Sequence, residues 1–142
     1  MNRLNGIVRS VQISGAVALA DVDVSGDTLS ALVVETDLLS THLQPGTPVL
    51  VLFQETEVSL AKNLSGLISM RNRLTTRVES LARGEVLTRV TLDYRGQKLV
   101  AVITTRSAER LTLAADDEVE ALIKANEVSL VAADKAQPRE RT

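Results

Sequence analysis

Five residues in the second half of the chain have the types to hold a small anion: Ser69, Arg71, Thr104, Ser107 and Lys124. Two are cations, three carry hydroxyls, and none is a carboxylate. Every member of such an inventory can donate a hydrogen bond, and none carries a negative charge. It suits a fully deprotonated tetrahedral oxyanion, which accepts bonds and has none to give. Thr104-Thr105-Arg106-Ser107 sits where a strand-like run ends and a helical stretch begins, and free N–H groups at a helix start favour an anion further. The same residues have a plainer use. Thr104 and Ser107 would serve equally as helix caps, and Ser69, Arg71 and Lys124 as solvated surface side chains. Spacing leaves both open.

Other chemistries lack their parts. No nucleophile–base pair, glycine-rich phosphate loop or paired-carboxylate arrangement occurs, so no catalytic residues and no enzyme are expected. The chain has no cysteine and one histidine, His42. That removes zinc, iron–sulfur and disulfide chemistry. His42 reads as an exposed residue after a first helix, and Asp116-Asp117-Glu118 as a solvated turn. The acidic Asp21 and Asp23 read as solvent-facing strand residues.

The elements that must position the five residues are written twice. Glu57-Val58-Ser59-Leu60 recurs 70 positions on as Glu127-Val128-Ser129-Leu130. At the same offset Leu29 matches Leu99, Ala31 matches Ala101, Val49 matches Val119, and Arg3-Leu4 matches Arg73-Leu74. Only the turn near residues 14–26 slips, by about two residues, against residues 83–96. A repeat of this period marks two copies of one small module. Copy one lacks the polar set. Val34 stands for Thr104, Asp37 for Ser107, Gln54 for Lys124 and Met1 for Arg71. An aspartate at that helix start would repel a dianion, so copy one reads as a module kept for packing.

Composition sets outer bounds. Hydrophobic residues make up 44% of the 142, yet the aromatics are Phe53 and Tyr94 alone. The core must be aliphatic, and base stacking on single-stranded nucleic acid lacks its platforms. Net charge is −2, without the basic footprint of a nucleic-acid binder. No apolar run approaches a membrane span, and polar residues interrupt the N-terminus where a signal peptide would be apolar. A cytoplasmic protein with neither nucleic-acid nor membrane partners is expected.

Runs at residues 17–24, 29–34, 49–53 and 58–61 read as strands in copy one. Runs at 86–92, 99–103, 119–123 and 128–131 read as strands in copy two. Long first strands are expected over 2–13 and 68–83, with Ser69 and Arg71 alternating onto one strand face. One short helix per copy fits, at 36–42 and at 105–111. The expected fold is all-β: two tandem small five-stranded barrels of the oligonucleotide/oligosaccharide-binding type, each with one short helix. The expected divisions are module 1 over 1–61, a linker over 62–67, module 2 over 68–132 and a disordered tail over 133–142. Modules of about 65 residues are marginal alone, so a homo-oligomer, dimer or higher, is expected.

Ser69-Met70-Arg71-Asn72, Gly84, Thr104-Thr105-Arg106-Ser107-Ala108, Leu111, Leu113 and Lys124-Ala125 to Val128 together resemble the Mop, or TOBE-type, molybdate-binding module. The whole chain resembles a tandem of two such modules. The resemblance implies the barrel fold, oligomers, and molybdate or tungstate bound at module interfaces with no further cofactor. By position it assigns Ser69 and Arg71 to the opening motif, Thr104 and Ser107 to the Thr-x-x-Ser motif, and Lys124 to the Lys-Ala motif. Thr76 departs from the pattern, which often has glycine there. The function implied is storage, buffering or homeostasis of the oxyanion. The alternatives are the ligand-sensing part of a molybdate-responsive transcriptional regulator, a transporter accessory domain, or an oligomerisation module whose site has decayed.

Overall fold

The structure is a computed structural model that describes residues 1–34 and 43–133. Its strands are β1 (Asn2–Ser14), β2 (Val17–Val24), β3 (Asp27–Val34), β4 (Pro48–Phe53), β5 (Ser59–Ala61), β6 (Asn72–Arg83), β7 (Leu87–Tyr94), β8 (Gln97–Thr104), β9 (Glu118–Ile123) and β10 (Ser129–Ala132). One α-helix, α1 (Thr105–Arg110), follows β8, and single 3-10 turns at Glu55–Glu57 and Ala125–Glu127 lead into β5 and β10. The helix expected at 36–42, with Asp37 and His42, lies outside the described residues, as does the tail from residue 134 on.

The chain is all-β, as its alternation requires. Along β1 and β6 every second residue is buried over the first eight positions, because successive strand side chains point to opposite faces. Two five-stranded sheets result, in the orders β10-β4-β1-β2-β3 and β5-β9-β6-β7-β8. Each sheet curls so that its outer strands approach one another, β10 to β3 and β5 to β8, giving the barrel-like form.

Two compact units carry these sheets. The first holds Met1, residues 3–53 and the described residues from Lys124 onward; the second holds Asn2 and residues 54–123. The modules drawn at 1–61 and 68–132 follow the sequence repeat, and the compact units part from the repeat at its last strand. Ser59–Ala61 closes copy one in sequence, yet it pairs with β9, Ser59 opposite Leu122. Ser129–Ala132 closes copy two, yet it pairs with β4, Ser129 opposite Leu52. Each core is aliphatic around a single aromatic ring. The buried residues include Phe53, Leu4, Val8, Val22 and Leu29 in the first unit, and Tyr94, Leu74, Val78, Leu92 and Leu99 in the second. Both rings are buried, so neither is placed to stack on a base.

The slip in similarity near the first hairpin is not a slip in structure. Ser10 pairs with Asp21 and Ser80 with Thr91, both at the repeat offset, and each hairpin carries a bulge just before, between Val8 and Ser10 or Val78 and Ser80. The turn that meets the bulge is also shared. Gly46 (φ 95°) donates to Val8 O at 2.7 Å, and Asp116 (φ 74°) donates to Val78 O at 2.7 Å. Asp116 thus fills a left-handed position that copy one gives to glycine, a role aspartate tolerates better than most residues.

Two expectations need correction here. Asp117 is not simply a solvated turn residue. Its Oδ2 accepts the Ala114 N–H at 2.8 Å and the Lys62 ammonium at 3.0 Å. Lys62, at the head of the stretch read as a linker, is bound into the second unit through that contact. The composition of both segments is polar, which is the signature of a loop; the pairing depends on contacts 55 residues apart and leaves no local trace.

Candidate functional site

The centre of the site is the junction of β8 and α1. Thr104 ends β8 in extended conformation (φ −69°, ψ 148°) and caps the helix, its Oγ1 accepting the Ser107 N–H at 3.1 Å. The same hydroxyl donates to Ser107 Oγ at 2.8 Å. The capping role is therefore realised, and the two hydroxyls are brought together on an exposed edge. The expectation of free N–H groups beside them is corrected in part. The Thr105 N–H donates to Val86 O at 2.8 Å, and the Ser107 N–H is taken by the cap.

Thr105, the first residue of the expected helix, is tied down through its own side chain. Its Oγ1 donates to Gly84 O at 2.8 Å and lies 2.9 Å from the Thr88 hydroxyl. With the Thr105–Val86 bond, this pins the helix start to the β6–β7 hairpin. Gly84 is needed for that hairpin, since a Cβ there would lie 2.7 Å from Leu87 O. The adjacent threonine after the Thr-x-x-Ser start was the available signal. A β-branched hydroxyl residue at a first helical position has lower helix propensity than its alternatives and is better explained by a partner.

A pocket of about 510 Å³ opens beside the pair. Thr56, Ser59, Thr104 and Ser107 supply hydroxyls to its wall, and Leu60 and Val102 supply apolar surface. Among the described residues no charged side chain lines it.

The other three predicted residues flank the paired strands β6 and β9. Ser69 and Arg71 are exposed and precede β6, which begins at Asn72. Their expected alternation on a strand face is corrected. The β6–β9 ladder has its last rung at Asn72 opposite Ile123, and Ser69 and Arg71 fall outside every strand described. No hydrogen bond among the described residues joins Ser69 or Arg71 to the Thr104–Ser107 pair. Lys124 is exposed and directly follows Ile123, at the N-cap of the second 3-10 turn. Register thus places Arg71 and Lys124 next to the same terminal rung, one before it and one after it.

Asn2 was missed as a structural residue. Its Nδ2 donates to Val100 O and its Oδ1 accepts the Val100 N–H, both at 2.8 Å. The side-chain amide thereby copies a strand partner on the edge of β8. Asn2 recurs as Asn72 at the repeat offset, a match that marks the position. Among the described residues no group of three or more histidine, cysteine, aspartate or glutamate side chains could hold a metal ion. No helix there is long and apolar enough to cross a membrane.

The family model of the TOBE domain matches residues 68–130. A crystal structure of the cytoplasmic molybdate-binding protein ModG, with molybdate bound, superposes with a TM-score of 0.88 at 29% identity, covering 92% of this chain and 95% of that one. This chain is a tandem protein of the Mop/TOBE family. Among its relatives, the molybdenum-pterin-binding protein MopA of Rhodobacter capsulatus is 38% identical over 120 residues, 83% of this chain. The molybdenum import ATP-binding protein ModC of Brucella abortus (strain 2308) is 34% identical over 124 residues, 87% of this chain. This tandem Mop/TOBE chain spans 31% of the length of that ATP-binding protein and 44% of MopA. The match to ModG, by contrast, runs nearly end to end in both proteins.

Proposed function

We propose that this tandem Mop/TOBE protein binds molybdate or tungstate without transforming it, and serves storage, buffering or homeostasis of the oxyanion in the cytoplasm. One observation carries the reading: the end-to-end likeness to ModG, a protein crystallised with molybdate bound. The chemistry of the second copy supports it. Ser69, Arg71, Thr104, Ser107 and Lys124 offer donors and no acceptor carboxylate, which favours a dianion over a protonated anion. No other cofactor is needed for binding of this kind.

The ligand-binding form is a homo-oligomer in which the five residues come from more than one chain. Exposed apolar pairs on the outer face of the first sheet support association, with Val17 opposite Val34 and the exposed Leu32 opposite Leu19.

Calorimetric titration with molybdate, tungstate, sulfate and phosphate tests the ligand class. Molybdate and tungstate should bind well ahead of the other two. Phosphate keeps at least one proton at neutral pH, and sulfate is smaller than molybdate. Equal affinity for all four would end the claim of a shaped oxyanion site. Native mass spectrometry with and without molybdate reads the oligomer and its stoichiometry in the same samples.

A further inference from the structure

We infer that Lys62 is a positioning residue for the Thr104–Ser107 hydroxyl pair. It clamps the C-terminal end of α1 to the 114–117 turn and so holds the start of this short helix in place. The inference rests on the oxyanion reading of that pair.

Helix α1 has six residues, too few to persist by its own hydrogen bonds. Both of its ends must be held from outside. Thr105 holds the start against Gly84 and Val86. At the other end the chain closes with two reverse bonds, Thr112 N–H to Glu109 O at 2.9 Å and Leu113 N–H to Ala108 O at 3.1 Å. This closure needs a left-handed residue just past the helix, usually glycine. Here Thr112 occupies it at φ 46°, a costly conformation for a β-branched side chain. Something must stabilise that end.

Lys62 does so. Its ammonium donates to Leu111 O at 2.9 Å, Thr112 O at 3.1 Å and Asp117 Oδ2 at 3.0 Å, with Thr112 Oγ1 at 3.3 Å. Three N–H bonds are thereby used on carbonyls left over at a helix C-terminus and on one carboxylate. A cation at this end also meets the negative pole of the helix. The base of the clamp is rigid, because Lys62 directly follows β5 and Ala61 is paired with Glu120 in β9. Its far side is rigid too. Asp117 accepts the Ala114 N–H, its carbonyl accepts the Val78 N–H at 2.8 Å, and Arg83 Nη2 donates to Leu113 O at 3.1 Å. Leu111, whose carbonyl Lys62 grips, lines the same pocket as Thr104 and Ser107. A helix of under two turns transmits a displacement of Leu111 to Ser107 with little loss.

The clamp is confined to the unit that carries the hydroxyl pair. At the repeat offset, Ala132 stands for Lys62 and Thr47 for Asp117. Thr47 Oγ1 accepts the Gln44 N–H at 3.2 Å, the counterpart of the Asp117–Ala114 bond, so the first unit keeps the turn and omits the charge pair.

The experiment combines two readouts on the full chain. In ligand-free protein, Lys62→Met should speed amide hydrogen exchange at Ser107, Leu111, Thr112 and Leu113 by about tenfold or more, with β7 amides unchanged, the pattern of local opening. In calorimetry, Lys62→Met should weaken molybdate binding by about tenfold, and this loss should vanish in a Ser107→Ala background, the mark of a coupled pair. Unchanged exchange at Ser107 overturns the inference, as does an equal loss of affinity in both backgrounds. Should Lys62→Met fail to fold, Asp117→Asn tests the same clamp, with the same pattern at smaller amplitude. A parent chain that binds no molybdate would overturn the oxyanion reading, and the exchange data alone would then decide the clamp.

Discussion

Thr104 and Ser107 are joined twice: the Thr104 hydroxyl accepts the Ser107 N–H at 3.1 Å and donates to the Ser107 hydroxyl at 2.8 Å. One residue pair thus serves as helix cap and leaves the Ser107 hydroxyl proton to be donated outward. The two roles separate by substitution. Thr104→Ala should lower the folding stability of the ligand-free protein by about 1 kcal/mol, the scale of a lost cap, and by more when molybdate is present. Chemical denaturation of both forms checks it.

Ser107→Asp places in copy two the residue type that copy one has at position 37. Ser107 lies in the first helical turn and is exposed, a place where a carboxylate is favourable to the helix. The variant should fold about as well as the parent. It should lose nearly all of the molybdate-induced rise in melting temperature, which follows ligand affinity. A full shift in the mutant would remove Ser107 from the site.

Lys124 and Gln54 occupy the same N-cap position before the two 3-10 turns, and neither side chain makes a cap bond. Truncating them therefore tests ligand contact with little structural cost. Lys124→Ala should weaken molybdate binding by about 1.5–3 kcal/mol, as for a hydrogen bond to a charged group. Gln54→Ala should leave affinity alone. Equal losses would show that the first copy contributes as much as the second.

In an oligomer whose sites are shared between chains, two single defects can complement. Arg71→Ala and Lys124→Ala chains should each bind molybdate poorly as pure oligomers. Mixed and re-annealed, they should recover part of the binding, because some interfaces would receive both intact residues. A monomer that binds tightly, by light scattering, would refute shared sites.

The Asp117 carboxyl is held below its ordinary value of 3.8, first by the Lys62 hydrogen bond and then by the Ala114 N–H. A depressed carboxylate contributes stability above its unfolded-state pKa and loses it as pH falls through the lower folded-state value. The stability gap between the parent and Asp117→Asn should therefore be full at neutral pH. It should shrink only as pH drops below the usual carboxylate range. Urea unfolding from pH 7 downward measures it, and a gap that held constant into strong acid would show that the charge on Asp117 is irrelevant.

Much of this protein was legible in the order of its residues. Period-two alternation and the 70-residue repeat specify two five-stranded sheets, because strand side chains alternate by geometry and equal patterns fold alike. The supply of donors without a carboxylate among Ser69, Arg71, Thr104, Ser107 and Lys124 is a property of residue type, and the Thr104 cap is a property of local spacing. What only the tertiary structure decided is longer in range. Whether β5 pairs with its own copy or with β9 depends on which edge is open, and an edge takes any strand of suitable length. Where β6 begins depends on where β9 ends, so Ser69 and Arg71 read as strand residues until the last rung is seen. Asp116 in a glycine's place, Thr112 in another, and the four contacts of Lys62 depend on groups brought close by the fold from distant parts of the chain. Local propensity carries no record of such neighbours. A polar stretch reads as a linker whether its lysine waves in water or closes the end of a helix.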